Sequence, residues 1–276
     1  MMTRRALPIN WCFSKDKSTN NFLLTRLDTL FVGQVHYDLP SVPSTSEHAL
    51  SLLSKSKPSE GTVISTRNQT AGRGQIGSTW ESEPGKNITL SIIFYPTFLP
   101  ATGQFLLSQA ISLGVAELLS DYLSDELKIK WPNDIYAGDK KIAGILIQNA
   151  IAGNYLRSSV VGIGINVNQV IFLSDAPNPT SLKLETGVDF DLDEIITALF
   201  KAVEAIYLKL KSGKIVHLRE NYLQRLYLYR VETLFERADG FSFIGIIEGV
   251  TETGRLIVRS GSSEETFEAK EIRLIV

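Results

Sequence analysis

The sequence predicts an α+β domain followed by a small antiparallel β-barrel, and three observations carry that expectation. Up to about residue 228, apolar runs of strand length alternate with stretches whose apolar residues recur at helical spacing. Beyond Tyr229 the helical spacing disappears, and short β-rich runs follow one another between turn signals. The chain has 276 residues, 43% of them hydrophobic, which is enough for one sizeable core and a small appendage. The expected division is an N-terminal extension over residues 1–30, a main domain over residues 31–228 and the barrel over residues 229–276.

Residues 1–30 show no clear period, and residues 14–21 are almost wholly polar, so a weakly ordered extension is expected. A helix should open at Ser44, with Ala49, Leu50, Leu52 and Leu53 as its apolar positions. Ser44 with Glu47 three residues on makes a capping box. Residues 61–66 are β-branched and strand-like. Residues 87–95 read as a strand buried on both faces, because Leu90, Ile92, Ile93 and Phe94 leave little alternation. Residues 104–123 carry Leu107, Ala110, Ile111, Val115, Leu118, Leu119 and Tyr122 at helical spacing, the pattern of a core helix. Strands are expected at 127–131, 142–149 and 158–167. Asp191, with Glu194 three residues on, opens a helix running to about Leu210, and another helix covers 215–227. The barrel strands are expected at 230–235, 241–250, 255–259 and 266–276, divided at Asp239-Gly240, Thr253-Gly254 and Ser260-Gly261.

Charge and cysteine usage exclude several function classes. Lys and Arg total 28 against 30 Asp and Glu, a net of −2. That argues against a general nucleic-acid-binding surface while leaving room for a local basic pocket. Residues 1–30 hold no pair of amphipathic helices suited to a DNA-reading helix-turn-helix. Cys12 is the lone cysteine, so a reducing compartment is expected. His36, His48 and His217 are scattered, which disfavours zinc. The apolar stretch after the basic residues Arg4 and Arg5 is broken by Pro8 and Asn10, a poor signal peptide. No later run is long enough to span a bilayer. A cytoplasmic protein with no DNA or membrane partner is expected.

Gly72-Arg-Gly74-Gln-Ile-Gly77 satisfies the dinucleotide-binding pattern literally, and a strand-like run precedes it. A dinucleotide turn needs a helix to open at once, so that its N-terminus holds the pyrophosphate. Ser78-Thr-Trp80-Glu-Ser-Glu-Pro84-Gly85 follows instead and cannot begin an apolar-faced helix, so the pattern lacks its context. A second reading starts from Arg73, a permanently charged fork suited to carboxylate or phosphate. The glycines let backbone N–H groups approach a ligand. Gln69 both donates and accepts, which suits a ureido or amide group. Trp80 offers apolar cover. The plain alternative is a solvated hairpin loop whose glycines only permit turns.

Lys130-Trp-Pro-Asn-Asp134 is more specific. Pro132 cannot donate to a sheet ladder and ends the strand. At that end the Asp134 carboxylate suits a magnesium ion and the Asn133 amide suits phosphate oxygens. Gly138-Asp139 marks a turn, after which Lys140 and Lys141 begin the returning strand. Alternation puts one of these lysines on the inner face and the other in water, and Lys141 is expected inside. There its ammonium can neutralise charge developing as a carboxylate attacks the α-phosphate of ATP. Lys130 reads as well as a salt-bridged surface lysine, and Trp131 reads better as a core anchor. Gly162-Ile-Gly164-Ile-Asn166 suggests close packing, with Asn166 able to read a nucleotide edge. For Ser44, Thr45 and Ser46, one hydroxyl can cap the helix while its neighbours face a pocket.

Taken together, Pro-Ser-Thr-Ser46, Gln69-Thr-Ala-Gly-Arg-Gly74, Trp80, Lys130-Trp-Pro-Asn-Asp134, Lys140-Lys-Ile-Ala-Gly-Ile-Leu146, Gly162-Ile-Gly-Ile-Asn166 and Thr180-Ser-Leu182 resemble the biotin protein ligases. The resemblance runs from about Leu39 to the C-terminus. It implies a mixed-sheet biotin/lipoate ligase-like catalytic domain, a C-terminal SH3-like β-barrel and a member without an N-terminal DNA-binding domain. It implies two half-reactions: biotin and ATP give biotinyl-5′-AMP, and a lysine of a biotin carboxyl carrier domain then displaces AMP. By position it puts Ser44, Thr45, Ser46, Gln69, Gly72, Arg73, Gly74, Gln75, Lys141 and Gly144 on biotin. Arg73, Trp80, Asn133, Asp134, Lys141 and Asn166 fall on ATP, Asp134 on Mg²⁺, and Arg73 and Lys141 on the chemistry. A homodimer is left open.

The chain departs from the family pattern at Ser46, where asparagine is common, and at Gln75 and Ile76, where further arginines are common. Fewer charges there are expected to loosen the grip on the adenylate, and the loop over residues 72–77 is expected to be mobile when empty. Alternatives of other kinds are a lipoate or octanoate ligase of the same superfamily, a non-catalytic biotin-binding module and a nucleic-acid-binding barrel.

Overall fold

A computed structural model describes residues 12–15, 22–25, 27–75, 78–123, 127–174 and 178–275, the first two segments by their backbone alone. In chain order the elements are β1 (Cys12–Lys15), β2 (Phe22–Thr25), β3 (His36–Leu39), α1 (Thr45–Lys55), β4 (Val63–Thr66), β5 (Ile88–Phe94) and α2 (Phe105–Ser120). Next come β6 (Leu127–Lys130), β7 (Asp134–Ala137), β8 (Lys140–Ala152), β9 (Tyr155–Ile165), α3 (Leu182–Thr186), α4 (Leu192–Lys211) and α5 (Ile215–Arg225). The chain ends with β10 (Glu232–Arg237), β11 (Ser242–Val250), β12 (Leu256–Ser260), β13 (Ser263–Phe267) and β14 (Ile272–Ile275).

Seven strands form one sheet in the order β3-β4-β5-β9-β8-β7-β6, with β3 parallel to β4 and the other neighbours antiparallel. Strand alternation gives the sheet two unlike faces. Along β5, Ile88, Leu90, Ile92 and Phe94 enter the large core shared with α2, α4 and α5, while Ile93 packs with Ala49 of α1, Ile64 and Val160. The same alternation sends Val161, Ile163 and Ile165 of β9 and Ala143 and Ile145 of β8 into the large core. Gly162, Gly164 and Gly144 therefore fall on the opposite face, beside Ser91. β5 is buried on both faces because each face is covered by helix. Leu50, expected among the apolar positions of α1, is exposed, and the packed stripe consists of buried Ala49 with partly buried Leu52 and Leu53.

α4 anchors the start of the domain. The Glu204 carboxylate accepts the N–H groups of Leu30, Phe31 and Val32 at 2.7, 2.8 and 2.9 Å. One turn on, the Tyr207 ring stacks on Phe94 at 4.3 Å and its hydroxyl donates to Glu60 at 2.7 Å.

The C-terminal strands make a separate antiparallel sheet in the order β13-β12-β11-β10-β14, around Phe235, Ile247, Leu256, Val258, Phe267 and Ile272. This is the mixed-sheet α+β domain with a small β appendage that the sequence predicts. The last expected strand divides into β13 and β14 at a turn in which Lys270 has φ +80°. β7 also intervenes between 127–131 and Lys140, so the returning strand is Asp134–Ala137 and the lysines open a third strand. β3 and α3 are further elements that short, mixed segments conceal from periodicity. In the expected weakly ordered extension, β1 and β2 pair in antiparallel register, and the rest of residues 1–26 lies outside the described residues.

Candidate active site

The glycine-bearing face of the large sheet is closed by α1 and by the segment from Gln69 to Trp80, and the space between them is a pocket. Ser44 has extended backbone (φ −152°, ψ 131°), and its side chain accepts the Glu47 N–H, which starts α1. The reciprocal half of the expected capping box does not form, because the Glu47 carboxylate pairs with Arg73 instead. With Ser44 as cap, the next two residues turn inward. Thr45 and Ser46 are buried and hydrogen-bond to Ser91 Oγ at 2.8 and 3.0 Å. Gln69 Oε1 accepts the Thr45 N–H at 3.0 Å and the Thr45 hydroxyl at 3.3 Å.

Two close approaches explain why glycine occupies particular positions. A Cβ on Gly72 would stand 2.2 Å from the Trp80 carbonyl oxygen and 2.9 Å from Gln69 Nε2. The Trp80 indole lies across β8 and β9, where Cβ atoms on Gly144 and Gly164 would stand 2.9 and 2.3 Å from it. Gly144 and Gly164 are register partners, so the pair makes one flat shelf for the ring. On either side of the segment, Trp80 N–H donates to Gly72 O (3.0 Å) and Gly74 N–H to Ser78 O (3.0 Å).

The second part of the site comes from β6, β7 and β8. Lys141 Nζ meets Asp134 Oδ1 at 2.8 Å, each side chain about a quarter exposed, and the ammonium stands 5.8 Å from the Trp80 ring centroid. Its neighbour Lys140 points outward to Glu185, as hairpin alternation requires. Gln75 Nε2 donates to Asn133 Oδ1 at 3.1 Å, so the glycine loop and the Lys130–Asp134 turn touch directly. Asn133 Nδ2 in turn donates to the Ile145 carbonyl. Lys130 Nζ donates to Tyr136 Oη at 3.1 Å beside the pocket. Burial pushes its ammonium pKa down, the Asp134 carboxylate opposes this, and Lys141 adds to it. Trp131 Nε1 donates to the Gly254 carbonyl at 2.8 Å, which fastens the turn to the C-terminal sheet.

Of the residues singled out from sequence, Ser44, Thr45, Ser46, Gln69, Arg73, Gly74, Gln75, Trp80, Asn133, Asp134, Lys141 and Gly144 line this one pocket. Gly72 lies behind the lining as a spacer. Asn166 is also outside it: it is buried, and its Nδ2 donates to the Thr180 carbonyl at 2.8 Å. Ile76 and Gly77, part of the loop expected to be mobile, lie outside the described residues. Thr79, Thr89, Pro132 and Leu146 also line the pocket, and Ser91 stands just beneath it. The signal for Ser91 was its hydroxyl between Leu90 and Ile92, in a strand otherwise apolar at its centre.

The pocket thus combines neutral hydroxyl and amide groups (Thr45, Ser46, Gln69), apolar surface (Trp80, Leu146) and charged groups (Arg73, Asp134, Lys141) in one lining. Such a cavity suits a small acid with a polar head, bound with its carboxylate near the two cations. Among the described residues no group of three or more His, Cys, Asp or Glu side chains is placed to cage a metal. A single carboxylate beside an amide suits magnesium whose remaining ligands are water and substrate phosphate.

Residues 39–166 match the family model described as the biotin/lipoate A/B protein ligase family. The bifunctional ligase/repressor BirA of Bacillus subtilis is 34% identical over 189 residues, 66% of this chain and 56% of that protein. The chain therefore spans about half the length of that bifunctional relative. The biotin–[acetyl-CoA-carboxylase] ligase of Paracoccus denitrificans is 28% identical over 225 residues, 76% of this chain and 88% of that one. Among solved structures, the Aquifex aeolicus biotin protein ligase in complex with biotin and ATP superposes with TM-score 0.72 at 25% identity, covering 87% of this chain and 98% of that one.

Proposed function

We propose that the chain, whose residues 39–166 match the biotin/lipoate A/B protein ligase family model, is an ATP-dependent biotin protein ligase acting on a biotin carboxyl carrier domain. The observation that carries the proposal is the pocket itself, in which Thr45, Ser46 and Gln69 share one lining with Trp80, Arg73 and Lys141.

In the first half-reaction a biotin carboxylate oxygen attacks the α-phosphorus of ATP, the bond to the bridging oxygen breaks, and pyrophosphate leaves. Negative charge grows on the α-phosphoryl oxygens. Arg73 and Lys141 are cations of the pocket lining, and they would stabilise that charge. Each first exchanges a carboxylate partner, Glu47 or Asp134, for the substrate anion. In the second half-reaction the carrier lysine amine attacks the acyl carbon and AMP departs. Asn133 and Asp134 are proposed on the nucleotide side. Asn166 is proposed there only indirectly, through the Thr180 segment it holds. Asp134 would hold Mg²⁺, which supplies charge neutralisation at the departing pyrophosphate. The extension, catalytic domain and SH3-like domain are proposed as residues 1–30, 31–228 and 229–276, a division supported by the two separate sheets. The lone Cys12 supports a cytoplasmic site of action.

A lipoate or octanoate ligase is the nearest alternative. The hydroxyl and amide groups favour biotin, because a fatty acyl chain has no polar group to meet them. The test is incubation with biotin, ATP and a carrier domain, reading biotinyl-5′-AMP and biotinylated carrier. Formation of both supports the proposal. Absence of both, or equal use of octanoate, overturns it.

A further inference from the structure

Ser91 lies at the centre of a hydrogen-bonded series whose direction can be worked out. A carbonyl oxygen only accepts, and the Thr45 N–H fixes the Gln69 side-chain carbonyl at Thr45. The Thr45 hydroxyl, 3.3 Å from the same oxygen, therefore donates to it. A hydroxyl has one proton. Thr45 Oγ1 must then accept from Ser91 at 2.8 Å, and Ser91 Oγ must accept from Ser46 at 3.0 Å. The protons run Ser46 to Ser91 to Thr45 to Gln69.

Two things follow at the pocket wall. Ser46 has committed its proton backward and offers only lone pairs to a ligand. Gln69 has its carbonyl committed and offers only its amide N–H groups, for which Gly72 leaves room. Gly162, the register partner of Ser91, leaves room for the Ser46 hydroxyl, since a Cβ there would stand 2.8 Å from it. Ser91 itself is fully buried and does not line the pocket.

We infer that Ser91 is a specificity-determining positioning residue, which makes Ser46 an acceptor for a ring N–H of the bound acid while Gln69 donates to that ring's carbonyl. This rests on the proposed biotin ligase reading and deepens it. A cyclic urea offers an N–H and a C=O side by side and matches both groups. A lipoyl or octanoyl chain matches neither and would leave them unpaired.

The experiment compares wild type, Ser91→Ala, Ser46→Ala and the double variant, by calorimetric binding of biotin and of ATP and by the KM and kcat of adenylate formation. Ser91→Ala is expected to weaken biotin binding about tenfold, the loss of one oriented hydrogen bond. KM for biotin should rise in step, while kcat and ATP affinity stay within about twofold of wild type. The double variant should bind biotin no worse than Ser46→Ala alone, because Ser91 acts through Ser46. Unchanged biotin affinity, a parallel loss for biotin and ATP, or additive losses in the double variant would overturn the inference. A wild type that binds biotin but makes no adenylate defeats the ligase reading and leaves the binding comparison decisive for Ser91. A wild type that binds no biotin overturns both.

Discussion

Lys141 Nζ lies 2.8 Å from Asp134 Oδ1, joining β7 to β8 within the pocket wall. The pair holds the ammonium in place before substrate arrives and gives the carboxylate a counter-charge. Removing the ammonium deletes a cation proposed to act on the reacting phosphoryl group. Lys141→Ala should lower adenylate formation by about 100- to 1,000-fold at saturating substrate. Lys141→Arg should recover only part of this, because a planar fork does not reproduce a compact point charge. Pyrophosphate release is the readout, and a Lys141→Ala rate within about threefold of wild type would remove Lys141 from the chemistry.

The Trp80 shelf makes a packing prediction. In Gly164→Ala the new methyl would meet the indole at 2.3 Å, against a ring resting on the backbone of two strands. Overpacking of this kind costs about 1–3 kcal/mol. It should appear as a lower urea midpoint, together with weaker biotin binding as the indole is displaced. Adding Trp80→Leu to Gly164→Ala should return much of the stability without returning the binding.

Glu204 tests how the domain's first residues are held. Its carboxylate accepts three successive backbone N–H groups in a buried setting. In Glu204→Ala those donors lose their partner, at a cost of about 3 kcal/mol. Glu204→Gln keeps one acceptor oxygen and should cost less. Chemical denaturation of the three proteins decides it, and equal stability of wild type and Glu204→Ala would show that water replaces the carboxylate.

His36 makes stability pH-dependent. Burial pushes its imidazole below the ordinary 6.5, Asp38 and Asp193 pull it back, and Arg67 pushes further down. The folded state therefore prefers neutral His36. Its contribution is complete above 6.5 and is lost as pH falls through the depressed value. His36→Gln keeps a polar contact for Ser65 and does not titrate. The Tm advantage of wild type over His36→Gln should shrink as pH falls from about 7 to about 5. A constant difference would mean that burial does not act on the imidazole.

Much of this was legible in the sequence, for identifiable reasons. Long elements whose burial follows one period, such as α2 and β5, could be read directly. So could Lys141 as the inward lysine, since adjacent strand residues point to opposite faces. The four-residue strands β3 and β7 could not, because their pairing is decided by distant partners. Glu47 looked like half of a local cap, and only the fold brings Arg73 within reach of it. Asn166 looked like a ligand contact from its place at a strand end; its Nδ2 donates to the Thr180 carbonyl, while its buried Oδ1 has no partner among the described residues. Ser91 was hidden in an apolar run, because its importance comes from Thr45 and Ser46 approaching from another element.

The placement of Trp80 also makes the protein its own optical probe. The sequence has three tryptophans: Trp11, outside the described residues, Trp131, whose indole nitrogen is hydrogen-bonded to Gly254, and Trp80, whose buried nitrogen has no partner among the described residues. A ligand entering the pocket changes the polarity beside Trp80 and leaves the Trp131–Gly254 bond intact. The emission of the Trp131→Phe protein is thus weighted toward an indole at the pocket wall, and a titration can be followed by light without labelling the chain or its substrate.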